Sequence, residues 1–118
     1  MEKDIIVTKE EMEDKEKPPQ RDINFEVEHD PIGQKFFVYL GNSEAVLAYT
    51  QVNNIFDIHH VAVPEEFKGR GLAEKLCSFA FEFARKNGLK IMPSCPYLSK
   101  KFLPEHPECK DVVTDSYF

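Results

Sequence analysis

Apolar and polar positions alternate with a period of two in the first half of the chain and with a helical period further on. From Asn24, Phe25 and Val27 alternate with charged residues as far as His29, and Asp30-Pro31-Ile32-Gly33 carries turn chemistry. Lys35 to Leu40 is rich in aromatic and β-branched residues and is closed by Gly41-Asn42-Ser43. Ala45 to Val52 follows, then the Asn53-Asn54 turn, then Ile55 to Val63. Short turns between successive strands predict an antiparallel meander. Pro64, with no N–H to donate, ends the pairing.

The next stretch changes period. With Leu72 at zero and 100° per residue, Phe79, Leu72, Phe83, Leu76 and Ala80 run on into Ala73, Ala84, Cys77 and Phe81 along one side, interrupted only by Asn87. That apolar arc spans roughly 200°, wider than the ~100° of a surface helix, so the helix is expected to lie on a sheet and be partly covered again. Glu82 and Lys86 stand at i,i+4 spacing, and Asn87-Gly88 is a C-terminal stop. Leu89 to Met92 reads as a short strand. Strand, helix and strand in this order form a βαβ crossover, so Ile55–Val63 and Leu89–Met92 are expected to be parallel. Short helical pieces, broken by Pro96, Pro104 and Pro107, complete the chain. The fold class is α/β (α+β): a meander continuing into a βαβ unit, with one long amphipathic helix and short C-terminal helices.

Composition fixes the scale. The chain has 118 residues, 42% apolar with ten Phe, which suits one core and one domain. Residues 1–20 carry seven acids and four lysines and end in Pro18-Pro19-Gln20; they read as a mobile acidic tail, and 21–118 as the domain. No apolar run approaches the roughly 20 residues of a membrane-spanning helix. The opening Met1-Glu2-Lys3-Asp4 resembles neither a secretory signal nor a transit peptide. A net charge of -6 and a pI near 5.2 leave no basic footprint for phosphate-led nucleic-acid binding. Cys77, Cys95 and Cys109 are odd in number and lack C-x-x-C spacing, as expected of free thiols in a reducing compartment. The expected location is the cytoplasm, with the nucleus also open.

Chemistry concentrates where the fourth strand meets the helix, at Phe67-Lys68-Gly69-Arg70-Gly71-Leu72-Ala73. Glycines allow close backbone approach, the free N–H groups of the first helical turn point outward, and the helix dipole places positive potential there. Such a turn receives an anion, most naturally a phosphate or pyrophosphate, unless its glycines serve packing alone. The Walker pattern is absent, and Glu74 stands where G-x-G-x-x-G requires its third glycine. The three antiparallel strands before the turn also depart from a doubly wound sheet.

Meander, the strand end Val61-Ala62-Val63-Pro64, the turn and the long helix together resemble the central motif of the GNAT superfamily of acetyl-CoA-dependent N-acyltransferases, written Q/R-x-x-G-x-G/A. Gly71 and Ala73 match it; Lys68 replaces the Gln or Arg, keeping the charge and losing the guanidinium fork. Ile91-Met92-Pro93-Ser94-Cys95-Pro96-Tyr97, then Phe102-Leu103 and His106-Pro107-Glu108, is similar to the minimal single-domain GNAT-like family, with its Ser-Cys or Leu-Cys pair and a His shortly before the loop, matched by His60. Val61 stands where a Thr commonly follows that His. The resemblance covers about residues 24–112. It implies acetyl-CoA as donor, with pantetheine along Val61, Ala62 and Val63, pyrophosphate on the turn from Lys68 through Gly69, Arg70, Gly71 and Leu72 to Ala73, and Ser94 among the cofactor-binding positions. It also implies an amine acceptor and two parallel strands that splay to admit the thioester.

Pro96 suits the first turn of a helix and puts Cys95 at the N-cap, where the dipole favours thiolate. The resemblance places that thiol near the acetyl group. It either accepts the acetyl covalently, lines the thioester pocket, or merely packs. Strand alternation puts His60 with Phe56, Ile58 and Ala62, as a hydrogen-bonded core residue or as the base that deprotonates the amine. Tyr97 is the candidate donor of a proton to the leaving CoA thiolate. Cys77 belongs to the helix core. His59, His60, Cys95, His106 and Cys109 match no known metal-ligand spacing. The expected assembly is a monomer or weak dimer, and the rival to an N-acetyltransferase is a non-catalytic CoA-binding or interaction module of the same fold.

Overall fold

A computed structural model describes residues 23–114, and the acidic segment 1–20 lies outside them. Five strands form one sheet in the order β1 (Val27–Asp30), β2 (Lys35–Tyr39), β3 (Glu44–Val52), β4 (Ile55–Ala62) and β5 (Lys90–Pro93). The first four pair antiparallel as neighbours, and β5 joins β4 in parallel after the crossover through α1 (Leu72–Lys86). The meander continuing into a βαβ unit is thus the observed architecture.

Local chemistry explains the boundaries. β1 starts later than its alternation suggests because Phe25 takes φ 58°, a left-handed conformation that a strand cannot contain. The Asp30 carboxylate accepts the Gly33 N–H at 2.9 Å and closes the first hairpin. At the C-terminus of α1, Gly88 at φ 69° lets the Leu89 N–H return to the Ala84 carbonyl at 2.9 Å. The expected Glu82–Lys86 pair is replaced by Glu82–Arg85 at 3.3 Å, because Arg85 also reaches Asp111 at 2.7 Å and is thereby drawn toward the C-terminal segment.

One face of the sheet is covered. Phe36, Leu47, Phe56, Ile58 and Ile91 point to it and are buried with Leu76, Ala80 and Phe81 of α1. The far side of α1 is covered by a helical arm, 96–105, whose Phe102 stacks on Phe81 at 5.4 Å. Pro96 opens that arm, but Pro104 does not break it. A wider π turn over Leu98–Phe102 precedes Pro104, which sits inside the final turn Leu103–Glu105. Beyond Pro107, Val113 bridges Ile91 in parallel, an extra pairing that the sequence pattern does not announce.

An aromatic cluster fills the end of the core remote from the glycine turn. His29 stacks on Phe36 at 4.2 Å, Tyr49 stacks on Phe56 at 4.0 Å, and His29 Nε2 and the Tyr49 hydroxyl share a 2.7 Å hydrogen bond. Burial pushes the His29 imidazole below its ordinary range, against a smaller opposing pull from Asp30. The unfolded chain therefore takes up the proton first, so the stability His29 contributes is full above the ordinary histidine range and is lost as pH falls through it. The thermal midpoint advantage of wild type over His29→Gln is expected to shrink between about pH 7.5 and about pH 5. A gap that widens on acidification would contradict this.

Candidate functional site

The β4–β5 pairing ends at Ile58 with Pro93, and one further bond, from the Cys95 N–H to the Ile58 carbonyl at 2.9 Å, closes the seam. Beyond it β4 runs on to Ala62 with β3 on one side and no strand on the other. The chain after Cys95 turns away into the arm, because Pro96 begins a helix: the Cys95 carbonyl accepts the Leu98 and Ser99 N–H groups at 3.0 and 3.3 Å. Cys95 is thus the N-cap residue that the sequence predicts.

The divergence opens a cavity of about 660 Å³. Val61, Ala62 and Val63 form one wall, and Lys68, Gly69, Gly71, Leu72 and Ala73 form the base. Gly69 and Gly71 take φ 85° and 75°, backbone that an L side chain rarely adopts, and an added Cβ at either would meet only open space. The turn is therefore glycine-rich for its conformation and not for close packing. In the second wall the expected Tyr97 is joined by two residues the sequence did not single out, Lys101 and Glu105; the three, spaced by four along the arm, face Glu74 of α1. Phe67 also lines the cavity. The i,i+4 stripe Tyr97-Lys101-Glu105 was present in the chain, but the prolines obscured the continuity of the helix that carries it.

Other expected residues lie off that lining. Arg70 is exposed, and its guanidinium rests over the Phe67 and Phe25 rings, 5.4 and 5.9 Å from their centroids. Cys95 is buried at 6% exposure. Ser94 is exposed beside it and does not line the cavity. His60 needs a correction of face. A β-bulge makes Ala48 oppose His60 while Tyr49 opposes Ile58, so His59 is an extra residue and the alternation flips. His60 consequently shares the open face with Ala62, opposite to Phe56 and Ile58, and is exposed.

Electrostatics sort the titratable groups. Burial pushes the Tyr97 phenol up, helped by Cys77, Glu74 and Glu105, so it stays protonated. Burial also pushes the Cys77 and Cys109 thiols up, consistent with inert packing of Cys77 in the core. Among the described residues no three His, Cys, Asp or Glu side chains gather into a group able to hold a metal ion, and no helix is long and apolar enough to cross a membrane.

An antiparallel meander opening into a parallel pair, with a glycine turn leading into α1 at the gap, defines an acyltransferase-like α/β domain. Residues 35–112 match the GCN5-related N-acetyl-transferase family, and the chain belongs to that family. It is 35% identical to Protein NATD1 of Bos taurus over 92 residues, 75% of this chain and 80% of the relative. It is 37% identical to Protein NATD1 of Homo sapiens over 84 residues, covering 69% and 74% of the two chains. A GCN5-like protein of Staphylococcus aureus, solved in solution by NMR, superposes with a TM-score of 0.62 at 33% identity, over 77% of this chain and 89% of that one.

Proposed function

We propose that this protein binds acetyl-CoA in the cavity between the free end of β4 and the arm, and transfers the acetyl group to a primary amine. The observation that carries the reading is the joining of a β4 edge left without β5 at 59–62 to two left-handed glycines at the start of a fifteen-residue helix. The strand edge suits the amide-bearing pantetheine arm. The N–H groups of the turn, the helix dipole and Lys68 suit the pyrophosphate.

The amine nitrogen attacks the thioester carbonyl, the C–S bond breaks, and the thiolate takes a proton from Tyr97, which its raised pKa keeps protonated. His60, exposed on the open face of β4 just past its last pairing with β5 and off the cavity lining, accepts through solvent the proton that the amine sheds. Burial of Cys95 and its absence from the cavity lining favour this direct route over an acetyl-cysteine intermediate, and Cys95 then closes the end of the gap. The same burial favours a second reading, a CoA-binding module without turnover.

Intact mass after incubation with acetyl-CoA, for wild type and Cys95→Ala, together with a binding titration, separates these. Direct transfer requires binding, no added mass on the unlabelled thiol, and acetylated amine in a panel of amines. An acetyl adduct lost only in Cys95→Ala would replace direct transfer by the covalent route. Binding without any acetylated product would leave the module. No binding would overturn the reading.

A further inference from the structure

The cavity wall contains an acid in an unexpected place. Glu74 lies in the first turn of α1, three residues after Gly71, and lines the same cavity as the glycine turn. A carboxylate there stabilises the helix but opposes an anionic ligand at the neighbouring N–H groups. The cations of the turn are partly engaged elsewhere: Lys68 pairs with Glu65 at 3.3 Å, and Arg70 lies over Phe67 and Phe25. Glu74 itself is bonded by a histidine from the C-terminal segment. His106 Nε2 lies 2.7 Å from its carboxylate, with the imidazole stacked on Phe102 at 4.4 Å and Nδ1 3.4 Å from Glu108.

We propose that His106 is a positioning residue of the CoA site: it holds Glu74 in the cavity wall against the arm and, when protonated, cancels the charge that would repel the ligand's phosphates. The inference rests on the acetyl-CoA reading above. Its geometry joins three elements, because the ring stacks on the arm, bonds α1, and is flanked by the turn carrying Glu108. The charged groups facing it are Glu74 from α1 and Glu108 from its own turn; Lys101 and Glu105 on the arm pair with each other at 3.6 Å. Burial lowers the His106 pKa, but the bonds to Glu74 and Glu108 outweigh it and the net direction is upward. Below its folded pKa the imidazolium neutralises Glu74. As pH rises through that value the compensation disappears and CoA binding weakens.

The test is calorimetric titration of the full chain with CoA from about pH 5.5 to about pH 8.5, beside Glu74→Gln, His106→Gln and the double variant. CoA carries a phosphomonoester that titrates near pH 6, so affinities are read as ratios to Glu74→Gln, in which that contribution cancels. The wild-type Kd relative to Glu74→Gln is expected to rise on the order of threefold with pH, the scale of a partly screened charge pair. His106→Gln keeps a hydrogen-bond donor without the charge, and should hold the weak, high-pH ratio throughout. The double variant should bind as Glu74→Gln does. NMR titration of His106 should show its pKa falling in Glu74→Gln. A flat ratio with CoA bound, or an unchanged His106 titration in Glu74→Gln, overturns the inference and leaves the acetyl-CoA reading intact. Failure of every folded variant to bind CoA overturns both.

Discussion

Gly71→Asp is expected to weaken CoA binding by roughly two to three orders of magnitude while moving the thermal midpoint by only a few degrees. Two unit charges about 4 Å apart at an effective permittivity of ~20 interact by about 4 kcal/mol, near a factor of a thousand in affinity. The added carboxylate would stand at the residue that opens α1, in the mouth of the cavity, where no atom lies within 4 Å of the new Cβ. Steric collision with the rest of the protein therefore contributes nothing to stability. A left-handed φ of 75° costs an Asp about 1 kcal/mol, since Asp tolerates that region better than most residues. A carboxylate at the helix N-terminus returns about 0.3–1 kcal/mol through the dipole. Stability is thus nearly unchanged while the ligand meets a like charge. Gly71→Asn has the same shape and the same backbone tolerance, so its affinity relative to Gly71→Asp isolates the charge. Equal binding by the two would show that no phosphate rests on this turn.

Much of the architecture was legible because each element carries its own local signal. The limits of α1, Leu72 and Lys86, follow from a glycine before a periodic apolar run and Asn87-Gly88 after it. The turns at Asp30–Gly33 and Asn53-Asn54 close hairpins of short reach, so the meander needs little long-range information. Less legible were features set by tertiary competition. Arg85 leaves the helix surface for Asp111, and the π turn absorbs Pro104, and both depend on how the arm lies against α1.

Of the candidate site, the strand end and the glycine turn could be read in order along the chain, and both line the cavity. Of the arm wall only Tyr97 was singled out, since Lys101 and Glu105 join it opposite Glu74 only after the crossover brings distant segments together. His60 shows a different limit. Strict alternation assigns a face only while the period stays at two, and a single inserted residue at His59 reverses every assignment beyond it. The bulge occurs where β4 is about to lose β5 as a neighbour, so a pattern rule fails at the place where the cavity is made.

Phe36→Ala is expected to cost about 3–5 kcal/mol, the range for truncating a buried aromatic, out of a total stability of about 5–15 kcal/mol for a domain. The thermal midpoint should fall by on the order of 20 °C for a domain of this length. Phe36 is 0% exposed, stacks on His29 at 4.2 Å and lies 5.5–5.7 Å from the Phe83, Tyr49 and Phe79 rings, so its loss opens a cavity bounded by rigid neighbours. Its chain neighbour Phe37 points to the opposite face, half-buried, with Lys35 Nζ 5.1 Å from its ring centroid. Phe37→Ala removes partly solvated area and should cost about 1 kcal/mol or less. The pair forms an internal control: two phenylalanines, one residue apart, differ only in which face of β2 carries them. Chemical denaturation of both variants measures the difference. A larger loss for Phe37→Ala would mean that the sheet buries its other face, and would move His60 from the solvent side into the core.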